Sequence, residues 1–189
     1  MYRYNFKKIT LIFLSTLLVA LFLLSCGGSA ATTTATTTGT TDAVASASIV
    51  DTAEAFEKAI SKDGTWIIAS LKDITTDKEL VLDGDFTNGR KDDTGKDIYQ
   101  RKIGLYTQDA NRNVLDRFKL TAPKLTINSR NASFEYGTFV GDLYVAVPNF
   151  KLIDARVEGN VYFKTEEIKN SFNIDSKSVI TGTQEVRSF

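Results

Sequence analysis

The chain contains no histidine and a single cysteine, Cys26, so its chemistry must come from carboxylates, amines, hydroxyls and aromatic rings. Histidine-dependent triads, histidine-ligated metals and imidazole pH switches are excluded, as are internal disulfides and cysteine-rich metal sites. The densest carboxylate group is Asp83, Asp85, Asp92, Asp93 and Asp97, interleaved with Arg90, Lys91 and Arg101. Within it, Asp83-Gly84-Asp85-Phe86-Thr87-Asn88-Gly89 has the outline of a Ca²⁺ loop. It lacks the bidentate glutamate that closes an EF-hand, because the twelfth position is Thr94. The expectation is a solvated surface loop, with weak Ca²⁺ ligation by Asp83 and Asp85 as the alternative. No carboxylate pair has a recognisable glycosidase setting, so neither catalysis nor a cofactor is expected. A second candidate is aromatic. Tyr106, Tyr144 and Tyr162 lie between the alternating pairs Leu105/Thr107, Leu143/Val145 and Val161/Phe163, and they point outward if those segments are strands. Such a strip would stack on sugar rings or pack on a partner; the alternative is that aromatic pairs stabilise the sheet itself.

Charge narrows the partners. Basic and acidic residues balance at 23 each, and Arg3, Lys7 and Lys8 precede Cys26 with no acidic residue among them. From Cys26 onward, 20 basic residues face 23 acidic ones, a net of −3. A nucleic-acid binder needs a basic face, so no nucleic-acid partner is expected.

The basic start is followed by an apolar run from Ile9 to Leu24 and then by small residues, the pattern of an export signal. Leu23-Leu24-Ser25-Cys26-Gly27 resembles the bacterial lipobox, with an aliphatic at −3, a small residue at −1 and the obligatory cysteine; Leu24 at −2 departs from the ideal pattern. The resemblance implies a signal peptide over 1–25, a diacylglycerol thioether on Cys26, and cleavage before it. N-acylation (palmitate) follows in many bacteria. Buried acyl chains contribute roughly 0.8 kcal/mol per CH₂, enough for stable membrane residence with two or three chains. The alternative is an uncleaved spanning helix. Its apolar run, Ile9–Leu24, is slightly short for a bilayer core. The expected location is the cell envelope, lipid-anchored on the extracytoplasmic side. From Gly27 to Ser48 the chain is Thr, Ala, Ser and Gly apart from Asp42 and Val44, with eight threonines between Thr32 and Thr41. No apolar period is present to offset the entropy of ordering, so 26–48 reads as the acylated cysteine and a disordered tether. A coil of that length spans about 25 Å.

The remainder, 49–189, is read as one folded domain. Asp51-Thr52-Ala53-Glu54 has the form of a capping box. Ala55, Phe56, Ala59 and Ile60 come next at helical spacing before Gly64, which predicts a short helix over Thr52 to Lys62. Thereafter short β-type runs take over, at Thr65–Ala69, Glu79–Leu82, Lys102–Thr107 and Arg117–Thr121. An internal repeat organises the rest of the domain. Pro123–Ile127, Gly141–Val145 and Gly159–Phe163 align at one constant interval, the step from Leu125 to Leu143 and again from Leu143 to Val161. At the same interval Ala132-Ser133-Phe134 falls on Phe150-Lys151-Leu152, and Phe139 falls on Val157. A looser, longer unit ends in Gly182–Val186, with Phe172, Ile174 and Val179 as its apolar positions. Upstream, Leu105-Tyr106-Thr107 precedes Leu125-Thr126-Ile127 by nearly the same step. Short units of near-constant length that bury their inward side chains only by stacking predict an all-β fold, a short right-handed parallel β-helix (β-solenoid) with an N-terminal capping α-helix. The competing antiparallel sandwich would show closely spaced turn signals without this column alignment.

The helix followed by "GTWIIAS" and "KELVLDG" resembles the N-terminal cap and first turns of pectate-lyase-type right-handed β-helices. Gly141 to Val186, "GDLYV…VEGNVYF…ITGTQEV", is similar to bactofilins, polymer-forming bacterial cytoskeletal β-helices. Bactofilins are usually cytoplasmic or attached to the membrane from inside, whereas this chain carries an export address, so the resemblance bears on architecture more than on role. Two functions arise as expectations. The first is a non-catalytic structural or assembly module that self-associates through the C-terminal edge, Gln184, Glu185 and Val186, where no capping helix is foreseen. The second is a surface protein that binds, or less readily cleaves, an acidic polysaccharide.

The anchoring expectation has a direct check. Cys26→Ala should abolish lipidation and leave a larger, unprocessed chain. A wild-type chain in the membrane fraction that still begins at Met1 and carries no lipid by mass spectrometry would refute it.

Overall fold

The computed structural model describes residues 47–189; the expected signal peptide, Cys26 and nearly all of the expected tether lie outside them. The chain opens with strand β1 (Ala47–Val50), helix α1 (Ala53–Ile60) and strands β2 (Ile67–Ser70), β3 (Ile74–Thr75) and β4 (Leu80–Leu82). A hairpin of β5 (Thr87–Lys91) and β6 (Asp97–Tyr99) leads into β7 (Arg101–Gly104), and a second hairpin, β8 (Tyr106–Gln108) and β9 (Val114–Arg117), comes after it. Next are β10 (Lys119–Ile127), β11 (Ala132–Glu135), β12 (Thr138–Val145), β13 (Lys151–Ile153), β14 (Arg156–Glu158) and β15 (Val161–Phe163). Helix α2 (Glu166–Ser171) and strands β16 (Asn173–Ile174), β17 (Val179–Ile180) and β18 (Gln184–Val186) complete the order.

The fold is mostly β, with two parallel sheets between which the chain alternates. One sheet runs β1-β2-β7-β11-β13-β16; in the other, β3 and β4 pair with β10, β10 with β12, β12 with β14 and β15, and these with β17 and β18. Among the described residues only the two hairpins are antiparallel. Inward side chains of both sheets merge in one core built from stacked equivalents. Leu125, Leu143 and Val161 sit in register, as do Ile127, Val145 and Phe163, and all six are buried. Phe134 lies on Leu152 and Phe139 on Val157, as the constant interval predicts.

The interval fails upstream. Leu80-Val81-Leu82, not Leu105-Tyr106-Thr107, pairs with Leu125-Thr126-Ile127. The two hairpins lengthen that part of the chain, so the proximity in sequence of Leu105 and Leu125 was misleading. In the last unit Ile180 rather than Val179 opposes Val157, and Val179 is exposed.

The chain bends sharply within β10 and β12. Ala122 and Pro123 together oppose the single Gly141, a bulge that tolerates a residue with no backbone donor. Gly141, at φ +141°, begins a glycine column. A Cβ there would lie 1.9 Å from the Ala122 carbonyl oxygen, and one at Gly159 would lie 2.0 Å from that of Gly141. Backbones therefore approach so closely at this bend that only glycine fits.

The N-terminal expectations need three corrections. Ala47 and Ser48, assigned to the tether, belong to β1, paired with Ile67 and Ile68; their small side chains hid a strand held by backbone bonds. The helix ends at Ile60 and is capped by the Thr52 hydroxyl, which accepts from the Ala55 N–H at 3.2 Å, so Asp51 and Glu54 form no capping box. The helix also covers less than expected. It packs against β1, β2 and β4, while the outer edge of β1, with Ile49 70% exposed, has no partner among the described residues.

Stacking makes a clear energetic prediction. Leu143→Ala should cost roughly 2–5 kcal/mol, whereas Tyr144→Ala, one residue on and facing outward, should cost less, about 1–2 kcal/mol, from lost aromatic and cation–π contacts. Urea unfolding measures both; equal losses would contradict the alternation.

Candidate functional site

Strand β7, between the two hairpins, carries two adjacent cations with opposite orientations. Arg101 points inward and is fully buried. Its Nε donates to the Thr65 carbonyl at 3.0 Å, and Nη2 donates to the carbonyls of Ala59 and Ser61 at 2.8 Å each. Nη1 donates to the Asp83 carbonyl. The guanidinium also lies 4.0 Å from the centre of the Phe86 ring. These acceptors include the C-terminal carbonyls of α1, where the helix dipole favours a cation. Burial pushes Arg101 down to about 10, partly opposed by the charge of Asp83, which leaves it ionised at neutral pH. Gly64 makes room for the clamp, since a Cβ there would meet the Ala59 oxygen at 2.0 Å and Arg101 Nη2 at 2.9 Å.

Lys102 points outward. Its Nζ lies 2.5 Å from Glu135 Oε2 and donates to Tyr106 Oη at 3.0 Å, while the Ser133 hydroxyl donates to Glu135 Oε1 at 2.8 Å. Burial alone would lower Lys102, but hydrogen bonds to Glu135 and Tyr106, with the attraction of Glu135, raise it above the usual lysine value. The pair's stabilisation is thus complete below the ordinary lysine range and is lost as pH rises through the raised value. Lys102 and Glu135 floor a cleft of about 360 Å³, whose walls include Tyr106, Gln108, Arg112 and Tyr136. An adjoining recess of about 270 Å³ shares Lys102, Tyr106 and Gln108 and reaches Ile67 and Ala69. Both are near the lower end of ligand-site sizes. Tyr106 leans over Gly104, where a Cβ would lie 2.9 Å from the ring, and meets Tyr136 edge-on at 4.6 Å. Arg112 (φ +67°) and Tyr136 (φ +61°) are both left-handed, a conformation that is costly for bulky residues.

The residues singled out from sequence are distributed differently. Tyr144 and Tyr162 do share a column, with ring centres 4.9 Å apart. Tyr106 does not join them; Val81 occupies the equivalent position next to Thr126. The column is already engaged within the chain, by Phe189 4.9 Å from Tyr144, Lys124 over Tyr144 and Arg187 over Tyr162. Asp85 pairs with Arg130, and the Asp83 carboxylate accepts from the Gly84 N–H. Among the described residues no group of three or more acidic side chains gathers to hold a metal. Gln184, Glu185 and Val186 form the exposed strand β18, paired on one side only.

Sequence reasoning missed Arg101, Lys102, Gln108, Arg112, Glu135 and Tyr136 as a set. Arg101 carries one signal, since it stands at the head of a β-type run where an apolar residue belongs. Among the described residues no helix is long and apolar enough to cross a membrane. Comparison with family models, with curated proteins and with solved structures finds no match.

Arg101→Met should destabilise the fold by roughly 3–5 kcal/mol, because four carbonyls lose a buried donor together. Hydrogen exchange should show the loss concentrated in α1 and β4. Uniform loosening, or a change below about 1 kcal/mol, would show that the clamp is dispensable.

Proposed function

We propose that the chain is a non-catalytic lipoprotein of the bacterial cell envelope, anchored to a membrane on its extracytoplasmic side by acylated Cys26, and that its folded part is an assembly module. The fold is best described as a short parallel β-solenoid in which helix α1, following β1, stands in for the first strands of the second sheet. The support is the repeated pairing of equivalent strands at one constant interval in two parallel sheets; crossovers between parallel strands are right-handed in nearly all cases.

The observation that carries the assembly reading is the C-terminal edge. Strands β16, β17 and β18 end their sheets without an outer partner among the described residues, and Ile174, Val179 and Val186 beside that edge are 41%, 45% and 37% exposed. Unpaired N–H and C=O rows next to apolar side chains template further pairing. The opposite end is a poorer joint: β1 is open, but α1 lies beside β4, where the second sheet would have to continue. Head-to-tail growth would therefore engage one sheet only, whereas two C-terminal ends can meet over both. Such a contact is isologous and closes as a dimer.

The fragment Asp42–Phe189, which corresponds to one compact unit, should sediment as a dimer at high micromolar concentration. Gln184→Pro removes a backbone donor from the exposed strand and should shift it to monomer without unfolding. A monomeric fragment that the substitution leaves unchanged would end this proposal.

A further inference from the structure

The cleft beside the β8–β9 hairpin contains hydrogen-bonding capacity that the chain itself leaves unused. The Lys102 ammonium has three donors and spends two of them, on Glu135 and Tyr106. The Glu135 carboxylate, with about four acceptor sites, receives Lys102 and the Ser133 hydroxyl. Tyr106 Oη accepts from Lys102, and its own proton meets no acceptor among the described residues. One ammonium donor, one phenol donor and free carboxylate lone pairs thus converge on the same space. Gln108 adds an amide at the wall shared by both recesses.

The chemistry of that floor selects the ligand. A phosphate or carboxylate would gain from Lys102 and from Arg112 at the wall but would have to sit against the Glu135 carboxylate that Lys102 already pairs, and an organic cation would meet both Lys102 and Arg112. A neutral group that both donates and accepts at neighbouring atoms satisfies both Lys102 and Glu135. Vicinal hydroxyls on a sugar ring do so, one accepting from Lys102 while the next donates to Glu135. The Tyr106 and Tyr136 rings supply apolar surface for the ring's C–H face. Their hold on the site is stiff. Asp109 accepts from the N–H groups of Asn111 and Asn113, at 2.9 and 2.8 Å, and keeps Arg112 in its left-handed turn. Tyr136 is tied from below by its N–H to the Ile153 carbonyl at 3.0 Å. We propose that this cleft binds a neutral glycan, recognising a vicinal diol through the Lys102–Glu135 pair with Tyr106 as platform. The site is separate from the assembly edge and does not rest on the assembly reading.

The test uses the full chain in a non-glycosidic detergent, titrated calorimetrically with cellohexaose, maltohexaose, mannohexaose and, as the charged arm, hexagalacturonate. At least one neutral hexasaccharide should bind with a Kd of roughly 0.1–1 mM, more tightly than hexagalacturonate. Glu135→Gln should weaken it by about tenfold and Gln108→Ala by about fivefold, while Tyr144→Ala on the other sheet should leave it unchanged. Gln108 is exposed, so its variant decides the matter if Glu135→Gln fails to fold. No neutral binding up to about 10 mM, preference for hexagalacturonate, or indifference to Gln108→Ala would each overturn the proposal.

Discussion

None of these strands can bury its own side chains. A strand of three residues such as β15 presents two inward positions, Val161 and Phe163, and both reach full burial only because equivalents lie in register beside them. That dependence imposes a common register on the stacked strands. Adding one residue inside a strand would turn its inward set outward, so extra chain must enter at corners or bends. The bulge at Ala122 and Pro123, the hairpins around β7 and helix α2 after β15 are all placed this way. The glycine column obeys the same constraint from the backbone side, because close stacking at the bend leaves no space for a Cβ at Gly141 or Gly159.

The stack must nevertheless begin, and its beginning is where Arg101 acts. At that end a helix replaces the strands that would pair with β3 and β4, and a helix cannot satisfy a sheet edge by backbone pairing alone. One bond does run directly, from the Asp83 N–H to the Ile60 carbonyl at 3.0 Å. The others are gathered by a side chain, because a planar guanidinium with five donors can reach carbonyls in several directions. Arg101 links the end of α1 to the loops after α1 and β4. Lysine could not replace it, having three donors on one atom.

Legibility in the sequence followed the same division. From Pro123 to Phe163 each unit has one length, so the columns of Leu125, Leu143 and Val161 and of Phe139 and Val157 could be read from spacing alone. Before β10, two hairpins intervene, and the spacing matched Leu105 to Leu125 where Leu80 is the true neighbour. That error put Tyr106 in the wrong column. The Tyr144–Tyr162 pair was legible because it inherits the repeat, whereas the Lys102–Glu135 floor was not. Its members are opposed diagonally across β7 and β11, and finding that contact requires the register of a strand the repeat did not reach. Arg101 reads in the sequence with the charges of a solvated loop, although it is fully buried; only its place, a charge where alternation asks for an apolar residue, could have marked it.

The location of the cleft has a physical rationale in this arrangement. A surface made only of repeated circuits is nearly flat and offers each ligand group the same neighbours again and again. A recess requires something that breaks the repeat, and the repeat can be broken only where inserted chain leaves the register intact. The junction of β7 and β8 meets that condition, since the hairpin departs after Gly104 and the chain returns to the second sheet at Lys119. Strand β7 itself keeps its place, with Ile103 stacked between Ile68 and Phe134. The outward neighbours of that same strand thereby acquire a wall without losing their rigid floor. Arg101 inside and Lys102 outside are consecutive residues of one strand. The bonds that tie β7 to the end of α1 therefore also fix the height and direction of the floor, which couples the stability of the fold to the geometry of the cleft.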